Sequence, residues 1–208
     1  MDADALGLFV LTSSRRGRTN LDVARAAIAG GANVVQVRAP ELSDDELRDL
    51  SRMVVRACKG SATLPIVNDR VEVAIDVDAA GVHVGQSDEP ATVRARLGDR
   101  LLGVSVSTAE EAREAAAFGA DYVGVTIWPT PTKREARAVG LDGLAAVVDA
   151  TTLPVVGIGG VSAENAAEVL GAGASGIAVV SAVGAADDME AATRDLVEVV
   201  LTWNKEHR

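Results

Sequence analysis

LPVVGIGGVSAENAAEVLGAGASGIAVVSAV, residues 153–183, reads as strand, tight turn, helix and strand. Leu153 to Ile158 is a short apolar run in which Val155, Val156 and Ile158 suit a strand buried on both faces. Gly159 and Gly160 then allow a sharp turn and a close backbone approach to a ligand. Ser162 is a suitable N-cap for a helix over 163–170, which the glycines at 171 and 173 end. A second buried strand runs from Gly176 to Val180 and ends at Ser181. Two parallel strands joined by a helix form a βα unit. The backbone N–H groups of Gly160 and Ser181 would face one point, which is how α/β barrels hold a phosphate in the loops after strands seven and eight.

The same cadence recurs upstream as AGGANVVQVR, DAAGVHVG and FGADYVGVT, with strands starting near 34, 81 and 122. Those spacings are about two βα units long, so one further strand belongs in each gap. Candidates are Pro65 to Asn68, Leu101 to Val106 and Leu153 to Ile158, and Leu8 to Thr12 supplies the first. Helices are expected to start near Asn20, Ser43, Arg70, Pro90, Thr108, Leu141, Ser162 and Asp187. Eight such units in 208 residues predict an α/β fold, a compact (βα)8 TIM barrel forming a single domain over 1–208, with an open doubly wound sheet as the alternative.

Composition agrees. Hydrophobic residues make up 48% of the chain but only five are aromatic, so the core must be built from Val, Ile, Leu and Ala, as under a parallel sheet. A net charge of −10 argues against nucleic acid as a partner and means that an anionic ligand must be held by local dipoles, a few cations or a metal. The one cysteine, Cys58, fits a reducing compartment, and its helical position suits core packing better than nucleophilic chemistry. No run reaches transmembrane length and the N-terminus lacks a signal-peptide layout, so no membrane partner and a cytoplasmic location are expected. A homo-oligomer is left open.

A barrel places its chemistry at the C-terminal ends of its strands. The polar groups there are Gln36 and Arg38, Asn68 and Asp69, Gln86 to Asp88, Ser105 and Ser107, Thr126, the loop Thr130-Pro131-Thr132-Lys133, and Ser181. Gln36 and Arg38 share one face of their strand. Asn68-Asp69 and Asp88 also suit helix capping, and His83, among alternating valines, reads as a satisfied core histidine. Asp69 and Asp88 on adjacent strand ends, facing Lys133 and Arg38, would hold Mg²⁺ through oxygen ligands and bridge it to a diphosphate. With a second phosphate at Gly160 and Ser181, two phosphorylated small-molecule substrates in one mouth suggest a transferase.

In order along the chain, QVR at 36–38, ND at 68–69, GVHVGQSD at 81–88, LGVSV at 102–106, PTPTK at 129–133, VGIGG at 156–160 and VVS at 179–181 resemble the thiamine-phosphate synthase family, from Leu8 to about Val183. The resemblance implies a Mg²⁺-dependent transferase of thiamine biosynthesis. Such an enzyme joins 4-amino-2-methyl-5-(diphosphomethyl)pyrimidine to thiazole phosphate and releases pyrophosphate. By motif it assigns Asp69 and Asp88 to the metal. Gln36, Arg38, Asn68, Ser105 and Lys133 go to the pyrimidine diphosphate, and Thr130, Thr132, Gly160, Val180 and Ser181 to the thiazole phosphate. Arg38, Ser105 and Lys133 are the residues it implicates in catalysis. Two positions depart from the family pattern: Pro40 stands where a Lys is usual, and Ser107 where a His is common. These departures admit two other readings, a thiazole tautomerase or a non-catalytic binder of thiamine precursors. Retention of Asp69, Asp88 and Lys133 favours the synthase.

Overall fold

In a computed structural model the described residues are 6–15, 17–85, 90–130 and 137–207. Eight parallel strands close on themselves in chain order: β1 (Leu8–Leu11), β2 (Val34–Val37), β3 (Leu64–Asn68), β4 (Gly81–Val84), β5 (Leu101–Val106), β6 (Tyr122–Thr126), β7 (Val155–Ile158) and β8 (Gly176–Val179). Closure is direct, since β1 pairs with β2 on one side and with β8 on the other. The expected TIM barrel is therefore the fold, and the open-sheet alternative is excluded.

Alternation along each strand divides the apolar residues in two. Outward residues such as Val35, Val82, Val104 and Val123 meet the helices in one large cluster. Inward residues, among them Phe9, Val34, Ile66, Tyr122, Val156 and Ala178, fill the barrel below its mouth. Helices α1 (Asn20–Ala29), α2 (Asp44–Cys58), α3 (Val71–Asp76), α4 (Pro90–Leu97), α5 (Ala109–Ala117) and α6 (Gly140–Val148) follow the first six strands. Capping fixes several of their starts. Thr19 and Ser43 each accept from the N3 backbone N–H while Asp22 and Glu46 return the bond, and those bonds hold both carboxyls below their usual pKa.

Two expectations about the last units change. Helix α7 is Ala166–Gly171, not 163–170, and Ser162 is not its N-cap. The reason is local competition: Asn165 Oδ1 accepts from the Ser162 N–H at 2.9 Å and its Nδ2 donates to Gly160 O at 3.0 Å, so three residues after the turn are spent bracing it. After β8 comes a four-residue helix, α8 (Ser181–Gly184), which the sequence reading did not foresee. The last helix, α9 (Met189–Glu206), starts behind an Asp188 cap, near the expected Asp187. None of the helices among the described residues is long and apolar enough to cross a membrane. Cys58 ends α2 buried, as expected of core packing, and burial pushes its thiol up to about 11.

Candidate functional site

At the C-terminal end of the barrel the strands open into a hollow of about 910 Å³, counting the space open to solvent. Its wall includes Gln36, Arg38, Asn68, Ser105, Thr130, Gly160, Val180 and Ser181. Those eight residues come from six different strands or the loops after them, so closure of the barrel is what brings them together.

The two halves of the wall differ in chemistry. Strands β2, β3 and β5 contribute amides, a guanidinium and a hydroxyl. Gln36 is 3% exposed, and Thr12 Oγ1 accepts the Arg38 N–H at 3.0 Å, tying the end of β2 to the end of β1. The opposite half, from β6 to β8, is mostly backbone. Gly159 (φ +95°) and Gly160 (φ +72°) carry the chain through a conformation that side chains disfavour. A Cβ on Gly159 would stand 2.7 Å from Trp128 O, so the turn is packed against the loop after β6. Ser181 begins α8, whose first N–H groups have no partner within the helix. In other α/β barrels, a phosphate is held by backbone N–H groups of the loops after strands seven and eight and of a short extra helix.

Asp69 stands apart from this wall. It is exposed, and it borders a separate hollow with Asp44, Arg70 and Thr92. Its φ of +62° is rare for a residue with a side chain and marks a constrained backbone at the strand end. Asn68 Nδ2 donates to its Oδ2 at 2.5 Å, and its N–H donates to His83 O at 2.8 Å. The capping reading of Asn68-Asp69 is not what the structure has, since α3 begins after Arg70 without a side-chain cap. Arg70 itself is paired with Asp44 at 3.0 Å. Asp88, Thr132 and Lys133 lie outside the described residues, and so does Arg134. Among the described residues no group of three or more His, Cys, Asp or Glu gathers as a metal site.

The hollow also takes in Thr126, at the end of β6, and three residues that sequence alone does not assign to a site: Phe9, His83 and Tyr122. His83 is indeed hydrogen-bonded through both ring nitrogens, but it is half-buried in the cavity wall rather than sealed in the core. Parity groups such residues by face without saying which face turns inward. Tyr122 and Thr126 share a face of β6, as Gly103 and Ser105 do on β5, and inward residues near strand ends form the cavity. Pro40 is exposed, in a turn closed by Leu42 N–H donating to Ala39 O at 3.1 Å. Ser107 donates its N–H to Glu111 at 2.5 Å, at the start of α5.

Comparison with known proteins shows the family. A family model described as thiamine monophosphate synthase matches residues 8–183. The chain belongs to that family. A thiamine-phosphate synthase of Chloroflexus aurantiacus is 50% identical over 206 residues, covering 93% of this chain and 92% of the relative. One of Moorella thermoacetica is 44% identical over 199 residues, covering 94% and 95%. A solved thiamine phosphate pyrophosphorylase from Pyrococcus furiosus superposes with a TM-score of 0.90 at 37% identity, over 97% of this chain and 98% of that one. As a member of the thiamine-phosphate synthase family the chain is a transferase, and the family match spans every strand of the barrel.

Proposed function

We propose that the chain joins 4-amino-2-methyl-5-(diphosphomethyl)pyrimidine to thiazole phosphate, forming thiamine phosphate and releasing pyrophosphate. The observation that carries this is the two-sided cavity. Amide, guanidinium and hydroxyl groups line one half, and a glycine turn with a short helix start lines the other. One half suits a diphosphate on an amine-bearing ring, the other a phosphate monoester. Gln36 and Asn68 would hydrogen-bond the pyrimidine, with Arg38, Ser105 and Lys133 on its diphosphate. Thr130, Thr132, Gly160, Val180 and Ser181 would hold the thiazole phosphate.

In the reaction the bond between the exocyclic methylene carbon and the diphosphate oxygen breaks, and its electron pair leaves with pyrophosphate. The electron-rich aminopyrimidine supports the cationic carbon, and the thiazole nitrogen supplies the pair that forms the new C–N bond. No protein nucleophile is required. Arg38 and Lys133 act by stabilising charge on the departing group, and the glycine turn acts by holding the thiazole nitrogen in line. Asp69 offers an exposed carboxylate that accepts from Asn68 Nδ2, and carboxylate oxygens suit a hard cation. With Asp88 it would hold Mg²⁺, which supplies positive charge to the diphosphate when bound. A cytoplasmic location fits such soluble substrates.

The test is product formation from the two purified substrates with Mg²⁺. Thiamine phosphate and pyrophosphate appearing in equal amounts supports the reading. Binding of thiazole phosphate without turnover would replace it with the tautomerase or the silent binder.

A further inference from the structure

Below Ser105 the cavity floor holds two hydrogen-bonded residues, His83 and Tyr122, that the mechanism above leaves unused. Tyr122, the first residue of β6, is 1% exposed, and its Oη lies 3.0 Å from His83 Nδ1 on β4. His83 Nε2 lies 3.0 Å from Ser105 Oγ on β5. Packing fixes all three. A Cβ at Gly103 would overlap the Tyr122 ring, and one at Gly124 would stand 3.0 Å from His83 Cε1, so two interior glycines make room for these rings. Phe9 lies against the other side of Tyr122, ring centroids 5.2 Å apart.

The direction of the chain follows from counting protons. Tyr122 Oη has one, and His83 Nδ1 is its hydrogen-bond partner. Burial, with the Asp121 charge adding to it, pushes the phenol pKa far up, so the proton stays on. A buried hydroxyl proton without an acceptor costs about 1–3 kcal/mol. Tyr122 therefore donates and Nδ1 accepts. Nε2 then carries the imidazole proton and donates it to Ser105 Oγ. With that lone pair taken, the Ser105 proton is free to point into the cavity that Ser105 lines. The reverse polarity would strand the phenol proton and spend the Ser105 proton on Nε2, leaving only lone pairs toward the cavity, which suits an anion badly.

We infer that Tyr122 is a positioning residue: through His83 held as the neutral Nε2–H tautomer, it presents the Ser105 hydroxyl as a hydrogen-bond donor to the diphosphate-bearing substrate. The identity of that substrate rests on the proposed function; the polarity of the chain does not.

The chain has two histidines, so in a His207→Asn background the ¹⁵N imidazole spectrum reports His83 alone. At neutral pH the expected signature is a pyridine-type Nδ1 and a pyrrole-type Nε2, with that preference lost in Tyr122→Phe. Tyr122→Phe keeps the ring packing and removes only the donor. It should lower kcat on the order of tenfold, as for one orienting hydrogen bond, with the KM for thiazole phosphate unchanged. Ser105→Ala and the double variant complete a cycle in which the two losses should not add. A pyrrole-type Nδ1 in the unaltered chain, a wild-type kcat in Tyr122→Phe, or additive losses would each overturn the inference. If no turnover is found at all, the spectrum still decides the polarity, so failure of the two readings can be told apart.

Discussion

Replacing Gly160 and Gly159 in turn by alanine separates a ligand-facing glycine from a structural one. At Gly160 the φ is +72° and an added Cβ would stand 3.4 Å from Trp128 Cβ and 3.5 Å from its Cε3, which is ordinary contact. The cost to folding is then the left-handed backbone alone, about 1–2 kcal/mol. At Gly159 the φ is +95° and the Cβ would lie 2.7 Å from Trp128 O and 3.1 Å from Thr126 Cγ2. Overpacking of that kind adds about 1–3 kcal/mol, and its relief must move the loop after β6. Ligand binding should separate the two further. If the Gly160 N–H meets the thiazole phosphate, a methyl beside it weakens a charge-assisted bond of about 1.5–3 kcal/mol. Losing half of that raises KM for thiazole phosphate by roughly three- to tenfold. Urea unfolding gives the stability term, and initial rates with each substrate varied give the two KM values. Gly160→Ala should lose only the backbone cost of about 1–2 kcal/mol, less than Gly159→Ala, and its KM should rise for thiazole phosphate but not for the pyrimidine diphosphate. A stable Gly160→Ala protein with both KM values unchanged would refute the phosphate assignment and leave the turn as scaffold only.

Asp69→Ala should lower Mg²⁺-dependent turnover far more than stability, because Asp69 is exposed; a magnesium titration that matches the parent would remove Asp69 from the metal site. Cys58 should react slowly with thiol reagents in the native state. Its pKa rises from 9.0 to about 11 on folding, so the unfolded chain loses the proton first and stability should fall between those pH values. Denaturation midpoints compared with Cys58→Ala, which lacks this loss, check the sign. Pro40→Lys should raise turnover with the pyrimidine diphosphate, since a cation two residues after Arg38 acts on charge that grows as pyrophosphate leaves; removing such a donor typically costs about 3 kcal/mol. Recovery will be smaller, because Pro40 fixes the turn after β2, and unchanged turnover would mean that another cation already serves. Arg137, exposed near the base of the loop after β6, is the candidate among the described residues, Arg70 being paired to Asp44.

The barrel was legible because its strands are buried on both faces and are spelled as short Val-rich runs at a regular interval. Ends were less legible. The turn after β7 carries Ser162, a good cap by type, yet Asn165 three residues on has both a donor and an acceptor and braces the glycine turn with them, delaying the helix. The α8 helix has four residues, too few for any periodic signal. His83 is satisfied as expected, but its place on the cavity wall is hidden for a deeper reason. In a strand buried on both faces, alternation does not say which face looks into the barrel and which under a helix. Only the closed sheet sets His83 beside Ser105 and Tyr122, residues 22 and 39 positions away. The constrained backbone of Asp69 is equally invisible in sequence, where an aspartate before a helix reads as a cap.

The unequal halves of the cavity follow from what each must do in the proposed reaction. The thiazole phosphate keeps its charge from binding to product, so fixed dipoles from a glycine turn and a helix start can hold it without changing during the step. On the pyrimidine side charge builds as pyrophosphate departs, and only groups aimed at that developing charge accelerate the step. Side chains with full charge or a directed proton belong there, and Arg38 and Ser105 stand on that half. The division also suits a chain of net charge −10, whose overall field opposes both substrates. Screening confines that field to about 8–10 Å at ordinary salt, so donors within hydrogen-bond reach decide what the cavity holds.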